Sequence, residues 1–271
     1  DGRSAGPLAK AFSDAYDGLP LEFDDGLRIQ SSYDACIRGT PKYSGSKELI
    51  ETVTANPGKS KGLPKYQASG GGNLNIILKV NNDTLQQFSK TCGVTPTVIV
   101  AAAFGLAKAR SEGKEESFFS LTFDGRTVPG TEKSVGMFAR FVPFHVVYED
   151  VSVREFLLKT SRTMNRLLMN SEYPLWEKKT MFYPDENFTF QYADYYDSIG
   201  SVPGITFKTM SPGYWFECSA LEVHPSEKGN MAVLEYAMCH TEKDMVRLMD
   251  LFDETRERMV SSDSLKDVFE F

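Results

Sequence analysis

Residues 95–146 read TPTVIVAAAFGLAKARSEGKEESFFSLTFDGRTVPGTEKSVGMFARFVPFHV and hold a helix, a strand and a glycine–arginine turn in one order. Thr95 is a good helix N-cap, and Pro96 suits the first helical position, where its missing N–H costs no hydrogen bond. The apolar run Val98–Leu106 is too short to span a bilayer and is closed by Lys108 and Arg110, which marks a buried helix. Gly113 breaks the chain. Phe118, Phe119, Leu121 and Phe123 then form an aromatic-rich strand that ends at Asp124-Gly125-Arg126. Val135-Gly136-Met137-Phe138 follows, and after it Val142-Pro143-Phe144-His145-Val146, with Phe144–Tyr148 read as another strand.

Outward from this stretch, Ser4–Tyr16 reads as an amphipathic helix with Leu8, Ala11, Phe12 and Ala15 on one face and Gly18 as its stop. Residues 19–72 are mixed: a loop through Asp24-Asp25-Gly26, a short helix near Ser46–Thr54, then Pro57, Gly58, Pro64 and Ser69-Gly70-Gly71-Gly72. The glycine run precedes a strand and lacks both Lys-Ser/Thr and G-x-G-x-x-G spacing, so it reads as a linker or turn and not as a phosphate loop. Leu74, Ile76, Leu78 and Val80 alternate as a strand. Asn82 or Asp83 caps a helix that places Leu85, Phe88 and Cys92 inward and stops at Gly93. Ser152 caps another, with Phe156, Leu157, Met164, Leu167 and Leu168 on its apolar side. Strands are expected at Phe188–Tyr192, Trp215–Val223 and Met231–Met238. A last helix starts at Thr241, with Asp244 completing a weak capping box. Strands and helices mixed in this way favour α/β layers, an α+β layered sandwich in which helices cover a mixed sheet.

The chain of 271 residues, 41% apolar, can bury a sizeable core in one large domain or two small ones. A net charge of −7 argues against a nucleic-acid binder, which needs a basic face to replace counterions. Cys36, Cys92, Cys218 and Cys239 show no C-x-x-C spacing, so free thiols in a reducing cytoplasm are favoured over zinc. Residues 1–30 lack the basic start and apolar core of a signal peptide. His145, His224 and His240 have no partner at metal-ligand spacing; His224 and His240 flank strands and read as surface or loop residues. No G-x-S-x-G elbow is present, which disfavours a serine hydrolase. The run Met181–Tyr196 (MFYPDENFTFQYADYY) could pass for a ligand cage, but alternating aromatics in a strand more often pack a core.

The order of the 95–146 stretch resembles the second half of a condensation domain of nonribosomal peptide synthetases, within the chloramphenicol-acetyltransferase-like superfamily. There a Thr-capped apolar helix leads to a strand ending in Gly-Arg, and then to a V/I-G-x-F-x-N-T-x-P-x-R segment. Gly125, Arg126, Gly136, Phe138 and Pro143 match; Arg140 and Phe141 stand in place of Asn-Thr, and His145 in place of the usual Arg. The opening DGRSAGPLAKAFSDAYDGLPL fits the register that follows the family's His-His-x-x-x-Asp-Gly motif, through Asp1, Gly2, Ser4, Leu8, Ala11, Phe12, Tyr16 and Gly18. Pro203-Gly204-Ile205-Thr206 with Trp215-Phe216-Glu217-Cys218 parallels a P-G-x-x…F-D-L stretch, and Leu234-Glu235-Tyr236 an L-x-Y element. The resemblance covers residues 1–20 and about 73–260.

This resemblance implies a chloramphenicol-acetyltransferase-like lobe at residues 73–271, preceded at 1–72 by the end of an N-terminal lobe and an inter-lobe linker. It implies amide formation between an acyl or peptidyl group on one carrier protein and an aminoacyl group on another. Both thioesters ride on phosphopantetheine arms, and no metal or cofactor is bound. Asp1 and Gly2 would be structural residues at the active site. The paired histidines are expected just upstream of residue 1, so residues 1–271 alone are expected to carry no catalytic residue and no activity. Gly125 would allow close backbone approach, and Arg126 would brace the loop under the channel by fork-like hydrogen bonds rather than touch substrate. Gly136, Arg140 and His145 are further channel candidates, while Asp124 reads as an exposed turn carboxylate. The implied partners are peptidyl carrier protein domains and neighbouring synthetase domains, in the cytoplasm, with neither nucleic acid nor membrane. Tyr195–Gly213 is the candidate segment to cross between lobes, and an uncovered apolar face is expected to make the fragment self-associate. Two other readings stay open: a stand-alone acyltransferase with an acyl-coenzyme A donor, and a non-catalytic lobe that docks carrier proteins.

Overall fold

The structure, a computed structural model, describes residues 4–20, 25–54, 71–171, 173, 188–192, 219–225, 229–237 and 240–270. Asp1, Gly2, the crossing segment Tyr195–Gly213, the Trp215–Cys218 stretch, Cys239 and most of the Met181–Tyr196 run lie outside them. In chain order come α1 (Ala5–Tyr16), α2 (Gly26–Ile37), α3 (Pro41–Thr54), β1 (Gly72–Ile77), α4 (Asn82–Cys92), α5 (Pro96–Ser111) and β2 (Glu116–Phe123). There follow β3 (Arg140–Val147), α6 (Val153–Leu168), β4 (Phe188–Tyr192), β5 (Ser219–His224), β6 (Met231–Tyr236), α7 (Glu242–Ser261) and α8 (Leu265–Phe269).

α5 sits in the middle of the core. Every residue from Val98 to Ala109 is buried, which is why this helix is apolar all round and not striped. Its Phe104 ring meets Phe119 of β2, Phe190 of β4 and Phe252 of α7 at centroid distances of 5.1, 5.7 and 5.9 Å. Gly105 lets β3 lie against the helix: a Cβ there would stand 2.4 Å from Val146 Cγ2. The Gly105 carbonyl accepts a buried hydrogen bond from Ser117 Oγ at 2.7 Å, which fixes β2 to the same turn.

The strands form one six-stranded sheet in the order β1-β6-β5-β4-β2-β3. β4 runs parallel to both its neighbours, and the other pairs are antiparallel. The sheet is therefore mixed, and helices cover it in the α/β manner expected from the sequence. α7 is stitched to the chain beyond β1 by Asp253, whose Oδ1 accepts the Lys79 N–H at 3.0 Å. No single described helix is long and apolar enough to cross a membrane.

Several boundaries follow the expected signals. Ser152 and Thr241 cap α6 and α7 by accepting from Glu155 and Asp244 N–H, and Gly93 ends α4 in the left-handed region at φ +74°. Others shift. The α4 cap is Asn81, not Asn82 or Asp83, because its Oδ1 reaches the Thr84 N–H at 2.8 Å. Thr95 takes the N-cap conformation of α5 but makes no side-chain capping bond.

The largest departure is at residues 25–54. A helix, α2, follows directly on Asp25, where no element was expected, and α3 begins at Pro41 rather than near Ser46. α2 carries apolar residues at helical spacing, Ile29, Tyr33, Cys36 and Ile37, but buries fully only Gly26, Gln30 and Ile37. α3 contributes Ile50 to the same core as α5 and the sheet, and Tyr43 packs edge-on to Tyr173 at 5.5 Å. In α1 the expected inward face turns outward: Leu8 and Phe12 are 58% and 54% exposed, while Ala9 is buried.

His240 also departs from its expected surface position. It is buried near Lys108, a buried lysine that ion-pairs with Glu112 on the next turn of α5. Burial, assisted by the Lys108 charge, pulls the imidazole pKa down to about 4.

Candidate functional site

β2 ends at Phe123, which pairs with Arg140, the first residue of β3. Immediately beyond it the backbone of Gly125 passes so close to the returning strand that a Cβ would stand 1.9 Å from the Phe138 carbonyl oxygen and 2.8 Å from Arg140 Cγ. Only glycine fits such an approach. This turns Arg126 inward, and its side chain is 2% exposed.

The Arg126 guanidinium holds four groups at once. Nη1 donates to Asp124 Oδ1 at 2.9 Å, and Nη2 donates to the Ser134 carbonyl at 2.9 Å and to Ser4 Oγ at 3.0 Å. Its carbon centre stands 4.5 Å over the Phe138 ring. The planar fork accounts for this reach, since it presents several donors in fixed directions and a flat face for stacking. Asp124 also accepts the Arg126 backbone N–H, so it is a partner in the turn and not a free surface carboxylate.

Ser4, just before α1, completes the cluster. Its hydroxyl donates to the Gly136 carbonyl at 2.8 Å and accepts the Gly136 N–H at 2.9 Å. Gly136 is closely approached as well: a Cβ there would meet Leu27 Cδ2 at 2.5 Å and Phe138 Cε2 at 3.0 Å, both side-chain atoms that could shift. Gly125, Arg126 and Gly136 are thus brought together.

Arg140 lies next to them but serves a different junction. Buried at the start of β3, it ion-pairs with Asp34 of α2 at 3.0 Å and donates to the Ser171 carbonyl at 3.0 Å. Asp34 is held in turn by Gln30 Nε2 at 2.9 Å. The residue that stands in place of the family's Asn therefore fastens α2 to the sheet.

His145 is not brought to the cluster. It pairs with Phe118, five strand positions and about 17 Å from Arg140, and its Nε2 lies 2.9 Å from Glu116 Oε2. Asp1 and Gly2 lie outside the described residues, and their roles rest on the sequence resemblance. The contributions of Ser4, Asp34 and Ser134 were not anticipated as partners; for Ser4 the only signal was its place in the motif register.

No known protein-family profile matches the chain. The nonribosomal peptide synthetase vlms of Lecanicillium sp is 37% identical over 82 residues, which is 28% of this chain and 1% of that protein. Among solved structures, the condensation domain of the Monacolin K polyketide synthase MokA superposes with a TM-score of 0.75 at 14% identity, over 97% of this chain and 68% of that one. The first condensation domain of the CDA synthetase gives 0.73 at 15% identity, over 97% and 63%. The PapA2 acyl transferase gives 0.71 at 14%, over 93% and 60%. The chain thus has the α/β fold of condensation domains, which its sequence motifs also resemble. It spans between 60% and 68% of these solved chains and a far smaller share of the vlms synthetase.

Proposed function

We propose that this chain is the C-terminal part of a condensation domain, comprising the C-terminal lobe and the end of the N-terminal one. The intact domain joins a carrier-bound acyl or peptidyl thioester to the amine of a carrier-bound aminoacyl thioester. The observation that carries this reading is the joining of Gly125, Arg126 and Gly136 into one buried cluster with Ser4, in a fold shared with condensation domains. In this reading the cluster is a brace beneath the substrate channel. Gly125 and Gly136 allow the close approach, and Arg126 locks the connection from β2 to β3. Both substrates are activated thioesters on phosphopantetheine arms, so the site has no need of a bound metal or nucleotide. Much of the acceleration comes from holding two tethered reactants together. The partners are peptidyl carrier protein domains and neighbouring synthetase domains in the cytoplasm, and the base or orienting histidine is supplied by the motif that ends in Asp1-Gly2.

The test is a condensation assay with one acyl-loaded and one aminoacyl-loaded carrier protein, read by mass spectrometry. The full-length protein is expected to form the amide, and purified residues 1–271 are expected to give only the uncatalysed rate. Turnover by residues 1–271 would overturn the placement of the histidine. Likeness to an acyl transfer enzyme, PapA2, favours one second reading, an acyltransferase that uses a coenzyme A thioester. Acylation from acyl-coenzyme A in the same assay, with carrier proteins left untouched, would replace the first reading by the second.

A further inference from the structure

We propose that Ser4 is a positioning residue for this acyl-transfer site, acting by tying the start of α1 to the β2–β3 connection. The proposal rests on the condensation-domain reading above. Serine at a helix start ordinarily turns its oxygen onto the N–H groups of its own first turn. Ser4 occupies the N-cap place of α1 but makes no such bond. Its hydroxyl is instead directed across the molecule, to residues 122 and 132 positions away in sequence.

A hydroxyl has one donor and two lone pairs. In Ser4 the donor goes to the Gly136 carbonyl, and the lone pairs take the Gly136 and Arg126 N–H groups. Both groups it grips are held by other contacts as well. Gly136 lies close to the Leu27 and Phe138 side chains, and Arg126 is held from three further sides by Asp124, Ser134 and Phe138. Along the rest of α1, Ala9 is buried while Leu8, Phe12 and Tyr16 lie more than half exposed. Ser4 therefore fastens the start of α1 to the β2–β3 connection, and the Asp-Gly segment precedes it by a single residue in the chain. Displacements on the order of 1 Å in a reacting constellation cost about a hundredfold in rate, so loss of this tie should be read in turnover and not in carrier affinity.

Two measurements separate this role from the functional reading it rests on. In residues 1–271, Ser4→Ala is expected to speed hydrogen exchange of the Gly136 amide about tenfold or more while the α5 amides keep their protection, because the amide loses its buried acceptor. Ser4→Thr, which keeps the hydroxyl, should restore protection. In the full-length protein, Ser4→Ala is expected to lower kcat for amide formation about tenfold or more with KM for the acceptor carrier unchanged, and Ser4→Thr to recover most of it. If Ser4→Ala loses α5 protection, Ser4→Cys, similar in shape but a poor hydrogen-bonding group, takes its place with the same expectation. Unchanged Gly136 exchange would show that the tie is not held in solution. Parental turnover by both variants would remove the positioning role. A parent that forms no amide at all would bring down the condensation reading, and the positioning role with it, whatever the exchange data show.

Discussion

Phe118 and His145 face each other across the β2–β3 pair with ring centroids 3.9 Å apart and planes 6° from parallel. The imidazole is therefore engaged twice, by the phenyl face and by Glu116 at 2.9 Å. This is the arrangement of a stabilising cross-strand pair.

His145→Ala is accordingly expected to lower stability by about 0.5–1 kcal/mol, the scale of an aromatic cross-strand contact, and, on the function proposed above, to leave amide formation within about twofold of the parent. Urea unfolding and the carrier condensation assay measure the two effects. A large loss of turnover in a variant of normal stability would return His145 to the chemistry.

Arg126→Ala removes three described side-chain hydrogen bonds and a stacked ring contact from a buried position. The expected loss is about 1–3 kcal/mol. Arg126→Lys should recover only part of it, because an ammonium lacks the planar fork. A urea midpoint unchanged in Arg126→Ala would sink the brace.

Gly125→Ala is expected to be worse than its single methyl group implies. The clash is with the backbone oxygen of Phe138, which cannot swing aside as a side chain can. A loss of about 3 kcal/mol or more is expected, at or beyond the upper end for overpacking, and thermal unfolding measures it. A Tm within a degree or so of the parent would mean that the two strands do not approach so closely.

His240 should write itself into the acid limb of the stability profile. Its folded pKa is near 4 against an ordinary 6.5, lowered first by burial and then by Lys108, with Asp244 and Glu112 pulling weakly the other way. Above about pH 6.5 the ring is neutral in both states and its contribution to stability is complete. As the pH falls from there toward 4, the unfolded chain takes up a proton that the folded chain refuses. Stability then drops by up to about 1.4 kcal/mol per pH unit before levelling off. Subtracting the profile of His240→Gln from that of the parent isolates this slope from the carboxylates, and a flat difference across that window would show that the imidazole is not held neutral.

What could be read from the sequence is what short-range chemistry dictates. The Val98–Leu106 run with Thr-Pro before it and Lys108 and Arg110 after it marks α5, the aromatic-rich run from Phe118 marks β2, and alternating aromatics mark β4. α2 went unassigned although Ile29, Tyr33, Cys36 and Ile37 recur at helical spacing; its full burial falls on Gly26, Gln30 and Ile37, and Asp34 ties it to Arg140. The exposure of Leu8 and Phe12 shows the converse: a periodic stripe identifies a helix but does not say whether that face is covered. Gly125, Arg126 and Gly136 could be singled out by motif, yet their common partner lies more than a hundred residues away at Ser4. His240 falls outside the expectation because a polar residue at a strand end is ordinarily solvated, whereas here it is buried near Lys108 of α5, Glu112 at the end of that helix and Asp244 of α7.

The position of β4 divides the sheet into two plates. One consists of β2 and β3, the other of β5, β6 and β1, and the described pairing across their joint is Ser120 with Thr189 and Leu121 with Phe190. Parallel pairing is the weaker kind per residue, so this joint is the line along which the sheet should part first. What clamps it lies underneath, where the Phe104 ring of α5 touches Phe119 on one side and Phe190 on the other. Under load or mild denaturant the molecule is expected to open as a hinge about α5, each plate intact, and not to fray strand by strand from its edges.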